Sequence, residues 1–353
     1  MNKIMAKRVL VTGGLGFVGS NLVDQLVTLG HEVHVIDDLS STSASIENKN
    51  SKASYHIHSI MDIILLESTK FDVIFHLAAH GRIQPSFENP AEWFYNNAMG
   101  TVEVLDFARR NGCKSFVYAT TSSKNHGSHL ITPYTFSKVV GEDAVRMYAE
   151  IYNMNTAMAT FYNVYGPREP RTGEWATVVA KFGRQYEEGE NLTIVGDGEQ
   201  SRDFTHVEDI CRGLIAISEK ECRGDNFDLG RGMPFTINML AELWVGGETE
   251  RITYVPQRLG EGQHTLCDTE KTYQSLGWRA VKSLLDYIKG ERDTIGYKKA
   301  FKDYYEKSHE YRGDWPDTFE DFVNRVETDE EFAEKWGPKK TTTLTNFNDE
   351  QPG

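Results

Sequence analysis

The sequence lacks any apolar run long enough for a membrane-spanning helix, which needs about 20 residues. Its first residues, 1–8, are polar and basic, and the apolar stretch that follows, 9–11, is too short for a secretion signal. We therefore expect a cytoplasmic protein that does not interact with a membrane.

Cysteine is scarce. The chain of 353 residues has 4 cysteines, at positions 113, 211, 222 and 267, and no CxxC pair. Scattered cysteines in so long a chain are typical of free thiols in a reducing compartment rather than of a disulfide framework. We predict no metal site.

The chain also lacks an excess of positive charge. It has 38 lysines and arginines against 52 acidic residues, which gives a net charge of −14. This balance argues against a nucleic-acid-binding surface, which would be basic. An anionic substrate would need a local cluster of arginines. The length suits one large α/β unit or two closely joined domains.

The first clear motif is a glycine-rich turn. Gly13, Gly16 and Gly19 follow a short buried-type strand, Arg8–Val11, and precede a helical stretch, Ser20–Leu29. In this context glycines let the backbone approach a pyrophosphate at a helix N-terminus, where free N–H groups and the helix dipole favour anions. The turn therefore predicts a dinucleotide site, and a tight turn without a ligand is the alternative.

An acidic pair follows the second strand. Glu32–Ile36 ends at Asp37 and Asp38, about 20 residues beyond the turn, where an acid accepts hydrogen bonds from the adenosine ribose. A carboxylate there would repel a 2′-phosphate. The pair therefore favours NAD over NADP, with Asp37 in the main role because it directly follows the strand.

Two further strands end in small or hydroxyl-bearing residues. One strand, Phe71–Ala79, ends at Ala78 and Ala79, whose small side chains would let the backbone lie against the dinucleotide. His76 in this strand is predicted to be a packed residue. The other, Lys114–Ala119, runs into the hydroxyl cluster Thr120–Ser123. Parallel sheets bind ligands at this end of their strands. A turn or capping segment is the alternative for the cluster. Strands alternate with helices, which predicts a doubly wound parallel sheet.

Tyr134 and Lys138 are spaced as an acid–base pair. Residues four apart share a helix face, and a lysine ammonium there favours the phenolate. Among 16 tyrosines this one alone has a lysine four residues later, and one such spacing is expected by chance. The pair therefore indicates proton transfer only together with its surroundings.

These motifs, in this order, resemble the extended short-chain dehydrogenases/reductases of the nucleotide-sugar epimerase/dehydratase group, typified by UDP-glucose 4-epimerase. The matching segments, which span roughly residues 7–290, are Thr12–Gly19, Asp37–Leu39, His76–Ala79, Asn97–Thr101, Tyr118–Ser122, Pro133–Lys138, Asn163–Arg168, Gly196–Gly198, Arg202–Phe204 and Arg258–Glu261.

The resemblance implies a role for each matching position. It implies an NAD site formed by Gly13, Gly16, Phe17, Val18, Gly19, Asp37, Asp38, Asp62, Ile63, Leu77, Ala78, Ala79, Asn97, Tyr134, Lys138 and Tyr162. It implies a catalytic triad of Ser122, Tyr134 and Lys138, and a nucleotide-sugar site formed by Ser122, Asn163, Arg202, Arg258 and Thr265. It also implies a homodimer formed through helices near 97–111 and 136–152.

We predict an α/β fold with three parts. A Rossmann domain covers 1–165, and the chain returns to this domain at about 203–232. A smaller α/β substrate lobe covers 166–202 and 233–292. A C-terminal extension, helical and then flexible, covers 293–353. Glu174–Glu188 is predicted to be a helix of the lobe. In the extension, Asp317–Trp336 has the spacing of one or two amphipathic helices, for which packing against the protein's own body is favoured over docking a partner.

The residues after Ser122 bear on the reaction. Members of the group first oxidise the sugar. The resemblance implies that a 4,6-dehydratase needs an Asp-Glu pair at positions 123 and 124, and that a decarboxylase needs a glutamate at 124; this chain has Ser123 and Lys124. A 4-epimerase acting through a 4-keto sugar, on a UDP-hexose or UDP-N-acetylhexosamine, is therefore the leading hypothesis. The alternatives are another nucleotide-sugar dehydrogenase or dehydratase-type enzyme and a non-catalytic NAD-binding regulator.

Three departures bear on the sugar and the base. The loop from Gly127 to Tyr134 is short, and Val195 stands where aromatic residues commonly stack near the base. Thr265 matches a position whose bulk restricts the C2 substituent, so an N-acetylated hexosamine is a further hypothesis.

Overall fold

The core of the fold is a seven-stranded parallel sheet. The structure is a computed structural model and describes residues 6–41, 43–125, 132–258, 262–308 and 319–338. The strands of this sheet are β1 Arg8–Thr12, β2 Glu32–Ile36, β3 Ser54–His56, β4 Val73–His76, β5 Ser115–Thr121, β6 Thr156–Phe161 and β11 Arg223–Leu229. Their order in the sheet is β3-β2-β1-β4-β5-β6-β11.

Helices cover both faces of this sheet. They are α1 Phe17–Thr28, α2 Gln84–Glu88, α3 Pro90–Trp93, α4 Gly100–Asn111, α5 Pro133–Tyr152 and α7 Val207–Ser218, with a π-helical segment, Phe94–Met99, between α3 and α4. Side chains alternate between the faces of a strand. Val9 and Val11 therefore pack in one core cluster and Leu10 in the other. The predicted doubly wound fold is confirmed.

The strand order reverses beside β1, because β2 lies on one side of it and β4 on the other. Such a reversal opens a crevice at the carboxyl ends of the strands, where doubly wound sheets bind ligands. The edge strand β11 returns to this sheet beside β6, as the sequence around Phe227 predicts.

A second region is built from short sheets and helices. Its strands pair as β7 Val164–Tyr165 with β10 Thr205–His206, β8 Leu192–Val195 with β13 Ile252–Val255, and β9 Ser201–Asp203 with β12 Pro234–Thr236. Its helices are α6 Val178–Glu188, α8 Ile237–Val245, α9 Glu270–Leu276 and α10 Leu284–Ser308. Phe182, Leu240 and Trp244 are at the centre of its own core.

Helix α6 begins later than predicted. Its N-cap is Thr177, whose side chain accepts a hydrogen bond from the Ala180 N–H, so residues 174–177 are not helical. Gly173, at φ 72°, takes a left-handed conformation just before that segment. A hydroxyl cap and a glycine thus prevent the helix from extending to Glu174.

The C-terminal extension is continuous with the second region. Helix α10 runs through the boundary predicted at 292/293, and Arg292 is buried there, with Nη1 donating to the Leu243 carbonyl at 2.9 Å. Beyond it, α11 Phe319–Thr328 and α12 Glu330–Trp336 pack on each other and on Ala300 of α10, as the amphipathic spacing predicts. Within the described ranges, no helix has the length and apolarity needed to span a bilayer.

Candidate active site

The glycine turn is fixed by close backbone packing. Gly13 has φ 70°, and a Cβ on it would lie 2.8 Å from the Ala78 backbone nitrogen. A Cβ on Gly19 would overlap the Gly13 carbonyl oxygen. Gly16 differs, because its nearest backbone neighbour would be 3.4 Å away. Two of the glycines thus let the turn fold, and the third leaves its backbone open to a ligand.

A buried hydroxyl joins the ends of β1 and β4. Thr12 Oγ1 accepts hydrogen bonds from the N–H groups of Leu77 and Ala78, at 3.1 and 3.0 Å, and lies 2.8 Å from His76 Nδ1. His76 Nε2 lies 3.0 Å from Thr101 Oγ1 on α4. Burial lowers the pKa of His76 to about 3, so the ring is neutral. His76 is therefore a packed strand residue, as predicted.

Asp37 supports the turn as well as facing the crevice. Its Oδ2 accepts the Leu15 N–H and its Oδ1 the Leu39 N–H, both at 2.9 Å. Burial raises the pKa of this carboxyl, and those backbone hydrogen bonds oppose the rise. Asp38 is more exposed and accepts hydrogen bonds from the N–H and hydroxyl of Ser40.

A cavity opens between the turn and the strand ends, and we name it the glycine-turn cavity. Its lining includes most of the predicted cofactor residues, namely Gly13, Gly16, Phe17, Val18, Gly19, Asp37, Asp38, Leu77, Ala78, Ala79, Tyr134 and Lys138. It also includes residues that the sequence analysis did not single out, among them Ile60, His80, Arg82, Asn96, Phe161 and Trp175.

Asp62 and Ile63 are not among the described lining residues of this cavity, and their contact with the cofactor stays a prediction. Ile63 is 2% exposed and packs in the core beneath α4, while Asp62 is exposed on the opposite side of a short 3-10 helix. Ile60 lines the cavity. Ser59 caps this helix, and its side chain accepts a hydrogen bond from the Met61 N–H.

Tyr162 is likewise not among the described lining residues of the glycine-turn cavity, and its contact with the cofactor stays a prediction. Tyr162 is buried, and its hydroxyl accepts a hydrogen bond from Asn125 Nδ2 at 3.2 Å. The preceding residue, Phe161, lines the cavity at the end of β6. Consecutive residues of an extended chain point to opposite sides, which explains the difference between these neighbours.

Asn97 holds the cavity wall from behind. Its Oδ1 accepts the His80 N–H at 2.7 Å, and its Nδ2 donates to the His80 carbonyl and to Ser137 Oγ. It thus ties the loop after β4 to α5, and its neighbour Asn96 lines the cavity.

A second cavity adjoins the first, and we name it the arginine cavity. Its lining brings together Arg82, Thr121, Ser122, Ser123, Tyr134, Phe161, Asn163, Glu174, Lys181, Val195, Arg202 and Arg258, among others. Tyr134, Arg82 and Phe161 line both cavities. The predicted Ser122 and Tyr134 thus meet the two predicted arginines in one space.

Thr265 lies behind this cavity. It is 3% exposed, and its hydroxyl donates to the Ser201 carbonyl at 3.3 Å. Asn163 Nδ2 lies 3.5 Å from the same hydroxyl and 3.3 Å from the Asp203 carbonyl. Thr265 therefore supports Asn163.

Tyr134 opens the long helix α5. Thr132 caps that helix and Pro133 occupies its first turn. Burial raises the pKa of Tyr134, while a hydrogen bond with Thr121 and the charge of Arg82 oppose the rise. Lys138, one turn on, has its Nζ 4.1 Å from the centre of the Tyr118 ring. Burial lowers the pKa of Lys138 to about 7, and Glu142 opposes that shift.

Comparison with known proteins identifies the family. Residues 9–230 match the model of the NAD dependent epimerase/dehydratase family. The chain belongs to this family. The resemblance drawn from the motifs is confirmed, and NAD is the cofactor of the family.

The individual relatives differ from one another in activity. A UDP-glucose 4-epimerase from Mycolicibacterium smegmatis is 32% identical over 302 residues, 80% of this chain and 96% of that protein. The crystal structure of a UDP-glucose 4-epimerase with UDP-glucose, from Thermotoga maritima, is 32% identical with a TM-score of 0.76, covering 83% of this chain and 99% of that one. A UDP-glucuronic acid decarboxylase 1 from Xenopus tropicalis is 29% identical over 311 residues, 82% of this chain and 72% of that protein.

Within this epimerase/dehydratase fold, Lys124 is turned away from the arginine cavity. Its Nζ lies 2.6 Å from Glu142 Oε1 and 3.2 Å from Thr160 Oγ1. The Thr120 hydroxyl donates to the same carboxylate oxygen at 2.5 Å. Glu142 is 2% exposed, so Lys124 forms a largely buried ion pair between the short 3-10 helix after β5 and helix α5.

Arg82 is one of the cavity residues that sequence reasoning missed, and its conformation is unusual. It takes a left-handed conformation, φ 89°, that is uncommon outside glycine. Its Nε donates to the Trp175 carbonyl at 3.0 Å, and the Trp175 ring stacks on Trp93 with centroids 6.1 Å apart. The available signal was a cation just after the Ala78–Ala79 strand end.

Proposed function

We propose that this chain is an NAD-dependent nucleotide-sugar 4-epimerase that acts on a UDP-hexose or UDP-N-acetylhexosamine through a 4-keto sugar. The observation that carries the proposal is the chemistry at Ser122. A proton acceptor, Tyr134, shares a cavity with Ser122, and the next residues along the chain are Ser123 and the paired Lys124. Elimination and decarboxylation, as the family resemblance describes them, need an acid at these positions.

The glycine-turn cavity fits NAD. We propose that the open backbone at Gly16 meets the pyrophosphate and that Asp37 and Asp38 meet the adenosine ribose. Ile60 and Phe161 line the same cavity and add apolar surface for the dinucleotide beside the predicted contacts at Asp62, Ile63 and Tyr162. When bound, NAD accepts a hydride from the sugar carbon and returns it.

The arginine cavity supplies the groups for the sugar nucleotide. Arg202, Arg258 and Lys181 line it and would neutralise a diphosphate, which the net charge of −14 otherwise disfavours. Tyr134, as phenolate, takes the proton of the C4 hydroxyl, and Ser122 holds the same oxygen by a hydrogen bond. After the keto sugar turns in the cavity, the hydride returns to the opposite face of C4, and Tyr134 gives the proton back to the C4 oxygen.

Oxidation followed by decarboxylation is the second candidate, because the Xenopus decarboxylase is similar over most of the chain. Glu174 is the acid among the described lining residues of the arginine cavity, and it is exposed. Product analysis with UDP-glucose, UDP-N-acetylglucosamine and UDP-glucuronate separates the candidates. An epimer of unchanged mass supports the proposal, and release of carbon dioxide from UDP-glucuronate supports the alternative.

Tyr134→Phe tests the role of the phenol. We expect turnover to fall by at least about a thousandfold, within the range given by general acid–base groups, with NAD binding kept. Tyr148→Phe is the matched control, because it removes a phenol hydroxyl from the same helix α5 at a residue outside the described linings of both cavities. Near-wild-type activity of Tyr134→Phe would contradict the proposal.

A further inference from the structure

Arg82 stands at the junction of the two cavities in a conformation that needs an explanation. It lines both cavities with Tyr134, has φ 89°, and is fixed at Nε by the Trp175 carbonyl. Left-handed non-glycine residues persist where the surrounding structure enforces them, and they cluster at functional sites. The strain and the position together indicate a function for the guanidinium.

The charge around Arg82 narrows that function. A guanidinium stays protonated in proteins. Burial lowers its pKa, and Tyr134 and Glu169 are the groups whose charges oppose this. Burial also raises the pKa of Glu169 to about 8, so this carboxyl is mostly neutral at pH 7. Tyr134 is then the nearby group whose ionisation would balance Arg82.

Lys138 alone supplies an incomplete charge. Burial lowers its pKa to about 7, so its ammonium is no longer fully protonated at neutral pH. Its Nζ also lies over the Tyr118 ring. A permanent cation beside Tyr134 removes the dependence on Lys138 protonation.

We infer that Arg82 is a second cation for Tyr134 that favours its phenolate, and that it is a positioning residue of the reaction. This rests on the proposed function, in which Tyr134 is the base. The groups that bear on Tyr134 are Arg82 after β4 and Tyr118 and Thr121 on β5, and Lys138 lies one turn further along α5. Glu169 and Glu142 bear on the two cations in turn.

Removing a cation makes the phenolate less stable, so the phenol must lose its proton at higher pH. Arg82→Gly is the informative variant, because glycine takes φ 89° without strain while the charge is lost. We expect the pKa of the acid limb of the pH–kcat profile to rise by about one unit. At pH values below that limb kcat is then about tenfold lower than in the wild type, and at high pH the difference disappears. Arg82→Lys keeps the charge and should recover part of the shift.

Arg168→Gly is the matched control. Arg168 is also a left-handed arginine, φ 69°, but it pairs with Asp24 and belongs to neither cavity lining. Its glycine variant should keep the wild-type profile. The thermal midpoint of Arg82→Gly should not fall below that of the wild type, whereas a purely structural role predicts a loss.

A second readout does not need the sugar. The phenolate absorbance of Tyr134 is obtained by subtracting the titration of NAD-bound Tyr134→Phe from that of the NAD-bound parent. We expect this titration to lie at higher pH in Arg82→Gly. If no sugar of the panel is turned over, the proposed function fails, and the titration still decides the role of Arg82. An unshifted phenolate titration in Arg82→Gly overturns the inference. A tenfold weaker NAD affinity of Arg82→Gly with an unchanged acid limb of the pH–kcat profile also overturns it, and would assign Arg82 to the coenzyme phosphates.

Discussion

Glu142→Gln is the substitution for which the structure gives the sharpest expectation. Glu142 is 2% exposed. Its Oε1 accepts hydrogen bonds from Lys124 and Thr120, and its Oε2 forms an ion pair with Arg146 at 3.2 Å. Glutamine keeps the shape but leaves the Lys124 ammonium, whose side chain is 16% exposed, without its anion. Breaking a buried pair by removing one partner costs 3–5 kcal/mol, and retained hydrogen bonds favour the lower end, so we expect a loss of about 3 kcal/mol.

The same change acts on the site. Glu142 holds the pKa of Lys138 up against burial, so its loss lowers that pKa further below about 7. Fewer molecules then carry the Lys138 ammonium, which favours the phenolate, so kcat at pH 7 should fall by at least about threefold. At lower pH Lys138 is protonated again, and the fall in kcat should be smaller.

Urea unfolding measures the first effect and a pH–kcat profile the second. Asp143→Asn is the control, because Asp143 is 73% exposed and pairs with the same Arg146; it should change stability by less than about 0.5 kcal/mol. Lys124→Met combined with Glu142→Gln should restore part of the lost stability, since it removes the unpaired cation. A Glu142→Gln protein as stable as the wild type would refute the reasoning.

Two further predictions concern the cofactor. In Gly19→Ala the new Cβ overlaps the Gly13 carbonyl oxygen and lies 2.8 Å from Gly14 Cα, and these backbone atoms cannot move aside. We expect the free energy of unfolding to fall by about 1–3 kcal/mol and NAD binding, measured by calorimetry, to weaken at least about tenfold. Gly30→Ala is the control, because its Cβ meets nothing within 4 Å while its backbone is strained at φ 85°, so it shows the effect of strain without overlap. Asp37→Asn should weaken NAD binding and narrow the preference for NAD over NADP, and an unchanged preference would assign the discrimination to Asp38.

The features predicted correctly are those that short spacings determine. The turn at Gly13, Gly16 and Gly19 is a local strand–turn–helix unit, and a backbone overlap at Gly13 and Gly19 enforces it. Tyr134 and Lys138 lie one turn apart on a helix that starts at Thr132 and Pro133, signals visible in the sequence.

The cofactor contacts that stay predictions depend on tertiary register. Ile60 lines the glycine-turn cavity, while Asp62 and Ile63 follow it in a short 3-10 helix, and no periodicity in four or five residues reveals which of them reaches a ligand. That Phe161 lines the same cavity follows from where β6 ends relative to β5.

Arg82 was missed for a different reason. Its backbone conformation is unusual for arginine, and its importance comes from Trp175 and Tyr134, which are distant in sequence. Local propensity contains no information about such a junction, and departures from it concentrate at functional sites.

The most direct test of the account is proton NMR of a UDP-sugar incubated with the protein in deuterium oxide. We expect the C4 epimer to accumulate to equilibrium with the C4 hydrogen of the substrate kept, because the hydride leaves and returns to the same carbon without exchanging with solvent. Deuterium at C5 or C6, or loss of water or carbon dioxide from the sugar, would contradict a 4-epimerase and identify an elimination or decarboxylation.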